Sequence, residues 1–382
     1  VKIGIPKERR PSEKRVAASP ETVRKLTAMG IDLLVEEEAG QASFFPDRFY
    51  QEAGASIVSD AGALFREADV VLKVQRPLVE PLLEVDEMAL LRPGQTLIAM
   101  MEALVNRDQV KVYAEKKVTA MALELLPRIT RAQSMDVLSS QSNLAGYKAV
   151  IDASYHFGKL FPMMMTAAGT IAPARVLVLG AGVAGLQAVA TAKRLGAIVS
   201  AFDVRPVAKE QVESLGAKFV EVASDEVESA ETAGGYAREM SEEYKKKQAE
   251  LIHETAKKSD IIITTALIPG KPAPVLVTEE MVRDMKPGSV IFDLAGPAGG
   301  NCPLCVLDQV VVVHGVTIIS YENIPSRVPM DASTLYARNV FNFLVSMIDK
   351  ETKALRIDTQ DEIVRGTLLT YEGRIVHPAF NP

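Results

Sequence analysis

The chain has 382 residues, 48% of them hydrophobic and 24% charged, with a net charge of −6. That length holds two domains of ordinary size, and the composition is that of a globular protein. The acidic balance and the lack of a basic cluster exclude a nucleic-acid binder, and no apolar run reaches the roughly 18 residues that span a bilayer. The start, Val1-Lys-Ile-Gly-Ile-Pro6, reads as a short strand rather than a signal peptide.

In chain order, residues 2–5 read as a strand. Ser19-Pro20-Glu21 opens a helix with an N-cap, a proline at the first helical position and an early acid, and Gly30 closes it. Strand patterns follow at 33–35, 70–74, 96–101 and 118–123, with helical patterns at 59–68 and 107–117. Such repeated βα units predict a mostly parallel sheet covered on both faces. Residues 141–160 read as a long helix into a second unit with strands at 175–179, 197–202, 218–220, 261–265, 290–294 and 316–319. A helix at 332–348 follows Pro325 and Pro329, and the tail from Ile363 reads as a hairpin turning at Glu372-Gly373. The fold class is therefore α/β, with two doubly wound Rossmann-like domains and a cleft between them as the default ligand site. The first domain takes residues 1–138 and 327–382, because the chain returns to it; the second takes 139–326.

The densest signal is Gly180-Ala-Gly182-Val183-Ala-Gly185. It follows the apolar run Arg175-Val-Leu-Val-Leu179 and opens a helical run from Leu186 to Leu195. Asp203 comes eighteen residues after Gly185, at the end of the next apolar run. Strand, glycine turn, helix, strand and acid form a dinucleotide-binding fingerprint. Gly180 allows the tight turn, Gly182 lets backbone approach a pyrophosphate, and Gly185 lets helix pack on strand. The helix N-terminus offers free N–H groups to phosphate. Asp203 is an acceptor for a ribose 2′-OH and would repel a 2′-phosphate, which favours NAD(H). Arg205 is the residue that would argue for NADP(H).

Three further stretches stand out. Cys302 and Cys305 form a lone Cys-Pro-Leu-Cys, and the four histidines are scattered, so no metal site is expected. Residues 221–250 are rich in Glu, Lys, Ser and Gly, with Ala233-Gly-Gly235-Tyr236 in the middle. They read either as a solvated helix with a flexible entry or as a loop closing over the cofactor, with Tyr236 as its anchor. Residues 127–143, with Arg128, Thr130, Arg131, Gln133, Ser134, Asp136, Ser139, Ser140, Gln141, Ser142 and Asn143, carry more polar side chains than a connector needs. They read as a helix start capped by Ser134 or Asp136, or as a loop gripping a nicotinamide. No histidine lies near a predicted strand end of the first domain. A dehydrogenase acting on an alcohol or amino acid needs a proton acceptor there. Its absence favours hydride transfer that moves no substrate proton, such as transfer between two nicotinamides.

At these residues the chain resembles domain I of proton-translocating NAD(P) transhydrogenase, in the alanine dehydrogenase/transhydrogenase family. The resemblance is carried by Pro6-Lys-Glu-Arg-Arg10, Lys73-Val-Gln-Arg-Pro77, Pro127-Arg-Ile-Thr-Arg-Ala-Gln-Ser-Met-Asp136, Ser139-Ser-Gln-Ser-Asn-Leu-Ala-Gly-Tyr147, Pro162-Met-Met-Met-Thr-Ala-Ala-Gly169, the glycine turn, Thr264-Thr-Ala-Leu-Ile-Pro-Gly-Lys-Pro-Ala-Pro274 and Gly299-Gly-Asn-Cys302. It implies an enzyme of the Re/Si-specific type acting as one subunit of a complex. NAD(H) would bind here, and hydride would pass directly to or from NADP(H) on a separate domain III subunit. The expected partners are a second copy of the chain, the domain III subunit and membrane domain II subunits. The expected location is cytoplasmic, on the inner face of the bacterial membrane through those partners.

Carried over by motif, Arg128, Gln133, Asp136 and Ser139 would contact the nicotinamide end, with Arg128 and Asp136 partly paired. Gly180, Gly182, Val183, Gly185, Asp203 and Arg205 would surround the pyrophosphate and ribose. Gly235 and Tyr236 would belong to the mobile loop, and Ala266 and Leu267 to the nicotinamide pocket. Alanine dehydrogenases share the fold, and Arg15 and Lys73 match their substrate-binding arginine and lysine. Their histidine and aspartate are missing here, in Ile98-Ala-Met-Met-Glu102 and Ala295-Gly-Pro297-Ala-Gly-Gly300. Arg15 and Lys73 are therefore given no catalytic role. The other reading is an NAD(H)-binding sensor without chemistry of its own.

Overall fold

A computed structural model of the chain describes residues 1–79, 85–222, 240–268 and 270–380. It divides into two compact units, residues 1–141 with 326–382, and residues 142–325.

The N-terminal stretch of the first unit supplies β1 (Lys2–Ile5), β2 (Asp32–Glu36), β3 (Ser56–Val58), β4 (Val70–Gln75), β5 (Thr96–Met100) and β6 (Thr119–Ala122). The second unit supplies β7 (Met164–Thr166), β8 (Gly169–Ile171), β9 (Arg175–Leu179), β10 (Ile198–Phe202), β11 (Lys218–Val220), β12 (Ile261–Thr264), β13 (Val290–Asp293), β14 (Gln309–Val313) and β15 (Val316–Ser320). The returning C-terminal stretch adds β16 (Leu368–Tyr371) and β17 (Arg374–Ile375).

The first sheet has the order β17-β16-β6-β5-β4-β1-β2-β3. Its strands from β6 to β3 run parallel, and β16 joins β6 antiparallel. The second has the order β11-β10-β9-β12-β13-β15-β14, parallel except for the edge strand β14. Counted within each unit, the parallel part is 3-2-1-4-5-6 both times. Chain direction reverses once in each sheet, between β1 and β4 and between β9 and β12. A crevice opens outside the strand ends at such a switch point.

Both sheets are buried on two faces, and alternate residues of a strand enter different cores. Val70, Leu72 and Val74 pack with Val23, Leu26, Tyr336 and Phe343, while Val71 packs with Leu64, Phe65 and Tyr113. In the second unit Val176 and Val178 face Ala188 and Val189, and Leu177 and Leu179 face Ile252 and Val282. The apolar runs that mark these strands are the runs of a sheet with no wet face.

The helices lie within a few residues of their sequence signals. Helix Pro20–Ala28 has a reciprocal cap between Ser19 and Thr22, and Pro20 at its first position. The helix expected at 141–160 runs from Val137 to His156, because Asp136 starts it four residues earlier. The helix expected at 332–348 is Pro329–Val345, again with proline at its start. The tail differs from expectation. A helix, Glu362–Thr367, capped by Asp361, precedes the hairpin. The turn itself is where the sequence put it, with Glu372 at φ 49° and Gly373 at φ 77°. The exposed hairpin of β7 and β8, where every residue is solvent-facing, has no counterpart in the sequence pattern.

Among the described residues no helix is long and apolar enough to cross a membrane.

Candidate functional site

The switch point of the second sheet is built from small residues. Gly180 has φ 96°, a conformation closed to most side chains, and a Cβ there would lie 2.6 Å from Thr265 Oγ1. A Cβ on Gly185 would come within 1.8 Å of the Gly180 carbonyl oxygen, so this helix can approach the strand only with glycine in place. Gly182 is the contrast. A Cβ there would meet nothing nearer than an Arg205 guanidinium nitrogen at 4.0 Å. Its surface is open to an approaching group. Gly182 also caps helix Val183–Arg194 without a side chain, leaving the helix N-terminus to other acceptors. Val183, the first helical residue, is exposed. Helix Val137–His156 closes the rear of the turn, where a Cβ on Gly146 would sit 2.0 Å from the Ala184 carbonyl oxygen.

Asp203 follows β10 and reaches back to this turn. Its Oδ2 accepts from the Ala181 N–H and from Arg205 Nη2, both at 2.8 Å. Its Oδ1 accepts from the Arg205 N–H at 2.8 Å and from Arg205 Nε at 2.9 Å. A carboxylate offers about four acceptor positions, and four are occupied. The acid chosen for the ribose and the arginine that complicated cofactor choice are thus one ion pair. A ribose hydroxyl would reach Asp203 only by displacing one of these donors. The pair also cancels much of the positive field that would draw a 2′-phosphate to Arg205.

Beyond β12, Thr265 keeps the two central strands together. Its N–H donates to the Leu179 carbonyl at 2.9 Å and its hydroxyl to the Gly180 carbonyl at 3.0 Å. Ala266 is half-buried and Leu267 half-exposed beside it. The side chain behind them is Asn301, which bonds to the Ala266 backbone. The motif Gly299-Gly-Asn-Cys302 gives Asn301 no role by sequence alone. The glycine pair is the only local sign, since its contact lies 35 residues away.

The polar segment of residues 127–143 is organised in the first unit. Residues Thr130–Met135 form a short 3-10 helix whose inner side is fixed. Ala132 and Met135 enter the first core, Arg131 makes a two-armed ion pair with Asp361 at 2.8 and 2.9 Å, and the Ser134 carbonyl accepts from Asn339 and Asn342. Asp136 accepts from the Ser139 N–H at 2.9 Å and from the Ser139 hydroxyl at 2.6 Å, which makes it the N-cap of the long helix. The carboxylate that the sequence paired with Arg128 is committed to Ser139. Arg128 and Gln133 stay exposed. Gly235 and Tyr236 lie outside the described residues.

The first unit's switch point is filled by its own charges. Lys73 is buried and holds Glu87 at 2.9 Å and Glu8 at 3.2 Å, both buried too. Burial alone would lower the Lys73 pKa, but the two carboxylates outweigh it and the net direction is up. Burial pushes Glu8 up to about 7 against the pull of Lys73. Arg15 is buried with Glu13 at 2.6 Å and Gln141 at 2.8 Å. Burial would raise Glu13, yet Arg15 holds it down at about 2. The two cations that match a dehydrogenase's substrate ligands are thus engaged by in-chain partners.

The remaining candidates do no acid–base work at the turn. His253 and His314 pair with Asp284 and Glu279, and His377 contacts the Gly366 carbonyl. Burial raises the Cys302 thiol to about 12 and the Cys305 thiol to about 11, which disfavours the thiolate a redox pair would use.

Two family models match the chain: the alanine dehydrogenase/PNT N-terminal domain over residues 4–145, and the C-terminal domain over residues 149–378. The first of the NAD(P) transhydrogenase subunit alpha polypeptides of Rhodospirillum rubrum is 59% identical over 379 residues, which cover 99% of this chain and 98% of that one. The crystal structure of transhydrogenase from Sinorhizobium meliloti superposes with a TM-score of 0.88 at 49% identity, over 98% of this chain and 100% of that one. An L-alanine dehydrogenase structure superposes with a TM-score of 0.81 at 26% identity, over 100% of this chain and 98% of that one. A glycine turn at one switch point, no free cation pair at the other and this run of matches agree: the chain belongs to the alanine dehydrogenase/PNT family, in its NAD(P) transhydrogenase alpha-subunit branch.

Proposed function

We propose that the chain is the NAD(H)-binding subunit of a proton-translocating transhydrogenase. The observation that carries this reading is the glycine turn at the second unit's switch point, closed to side chains at Gly180 and Gly185 and open at Gly182. A dinucleotide fits such a cradle. Gly180, Gly182, Val183 and Gly185 would hold the pyrophosphate through backbone and the helix N-terminus. Asp203 would take the adenosine ribose, with Arg205 exchanging its bond to the acid for one nearer the phosphates. Ala266 and Leu267 would wall the nicotinamide pocket, and Gly235 and Tyr236 would close over it.

Bound NAD(H) supplies the hydride. The chain's own task is orientation and exclusion of water, because transfer between two nicotinamides needs no acid or base. Arg128, Gln133, Asp136 and Ser139 would steady the ring, and the Asp136–Ser139 cap gives that segment its rigidity. The acceptor ring belongs to NADP(H) on a separate subunit, and membrane attachment would come through further partners. The dimer expected of this branch would use the exposed hairpin of β7 and β8, with Met163, Met164, Met165 and Ile171 on its surface.

The deciding experiment mixes the chain with a purified NADP(H)-binding partner subunit and follows hydride transfer from NADH to an oxidised NADP analogue. Transfer at saturating protein is expected, and none would leave the sensor reading in its place. NADH oxidation by the chain alone with pyruvate and ammonia, which would indicate an amino-acid dehydrogenase, is expected to be absent.

A further inference from the structure

β12 ends at Thr264, and the chain beyond it has no neighbouring strand to hold it. Asn301 takes that place. It lies in the loop after β13 and is fully buried. Its side-chain oxygen accepts from the Ala266 N–H at 3.0 Å, and its side-chain nitrogen donates to the Ala266 carbonyl at 2.9 Å. This is the pair of bonds that a residue on an adjacent strand exchanges with its opposite number. The second N–H of the same amide donates to the Pro274 carbonyl at 2.8 Å, so one side chain ties both arms of the loop after β12. The backbone adds a third tie, since the Asn301 carbonyl accepts from the Leu276 and Val277 N–H groups.

Asn301 is itself held from behind. Asp293, fully buried at the end of β13, accepts from the Ala295 N–H and from the Cys302 N–H, both at 2.8 Å. The loop between them carries Pro297 and the left-handed glycines Gly299 and Gly300. A carboxylate therefore sets the loop, and the loop sets the amide.

We infer that Asn301 is a positioning residue for hydride transfer: it fixes the backbone of Ala266, and through it the face that Ala266 and Leu267 turn toward the nicotinamide. This rests on the reading of the β12 segment as the ring pocket wall. The chemistry asks for an amide, because the site needs one acceptor and two donors at once. An aspartate would keep the bond from the Ala266 N–H and set an anion against two carbonyl oxygens. A leucine would fill the volume and make none of the bonds.

The test uses Asn301→Asp and Asn301→Leu chains assembled with the NADP(H)-binding partner subunit. Three quantities are compared with the unmodified chain: affinity for ADP-ribose, which lacks the nicotinamide; affinity for NADH; and the single-turnover transfer rate at saturating nucleotides. Misplacement of a reacting group by about 1 Å costs about 100-fold, so transfer should slow by about 10- to 100-fold. ADP-ribose affinity should stay within about twofold, because the glycine turn is untouched. The Asn301→Asp rate should recover in part as pH falls from about 8 to about 6, where a protonated acid regains a donor. Parallel losses for ADP-ribose and NADH would overturn the inference, as would an unchanged transfer rate. If the unmodified chain binds ADP-ribose and NADH equally but transfers no hydride, the ring-pocket reading fails and this inference falls with it.

Discussion

The two sheets share one strand order and therefore one crevice, yet they treat it in opposite ways. In the second unit the crevice is lined by glycine, and the charge that reaches it, Asp203, comes already paired with Arg205. In the first unit the same place holds Lys73 between Glu8 and Glu87, with Arg15 on Glu13 nearby. Topology supplies the crevice twice, and side chains decide whether it stays open to a ligand or is closed by the protein's own charges. A buried cation that matches a ligand-binding position is weak evidence of ligand binding unless its in-chain partners are counted as well.

The comparison breaks most visibly at Lys73. Lys73→Ala would leave two buried carboxylates facing each other, at a cost of about 3–5 kcal/mol. A fall in urea midpoint of that size is expected with NADH affinity unchanged in the protein that remains folded. Loss of NADH affinity at full stability would mean that the first crevice serves the nucleotide. Gly185→Ala tests the other side. A methyl group 1.8 Å from a backbone oxygen cannot be accommodated by a rotamer change. About 1–3 kcal/mol of stability and most NADH binding should go together. Retention of normal affinity would show that the close helix approach is not needed.

The charge cluster also has a pH signature. Glu8 titrates near 7 in the folded protein against 4.5 as a free side chain. The unfolded chain therefore gives up this proton first, and between those values rising pH favours unfolding. The loss should be on the order of 1–3 kcal/mol, complete above pH 7. Glu13, held at about 2, acts in the opposite sense: its contribution is present above 4.5 and lost as pH falls toward 2. Urea unfolding of the unmodified chain and of Glu8→Gln at pH 5 and pH 8 separates the two, since the variant should lack the decline. An equal decline in both would remove Glu8 as its source.

The smallest effect is expected at Asp203. Asp203→Ala should weaken NADH by about tenfold while freeing Arg205, so NADPH should bind more tightly than before. Fluorescence titration with both nucleotides reads this directly. A fall for both would show Arg205 to be a spectator.

Much of this was legible from residue order. The parallel strands announced themselves because burial on two faces demands unbroken runs such as Val290-Ile-Phe292, and the glycine turn because three glycines with different duties leave little alternative. Glu362–Thr367 did not, since six residues that include Gly366 and Thr367 make a poor helical pattern, and its support comes from Asp361 and from packing of Ile363 and Val364. The hairpin of β7 and β8 shows no alternation because neither of its faces is buried. Glu13 beside Arg15 could have been read as a pair. Glu8 and Glu87 could not, because they lie 65 and 14 residues from Lys73. The same holds for Asn301, whose partners are backbone atoms and leave no complementary side chain to notice.

The interrupted course of the first unit has a consequence for synthesis. Residues 142–325 are contiguous, so the second unit can close as soon as its own chain has left the ribosome. The first unit cannot, because helix Pro329–Val345 brings Tyr336, Val340 and Phe343 to a core whose other half was made more than 180 residues earlier. Until that helix arrives, Val70, Leu72 and Val74 keep an apolar face uncovered. The half of the molecule translated first is thus the half that finishes last, and a nascent chain stalled before residue 326 should expose the first sheet to chaperones while the glycine turn is already formed.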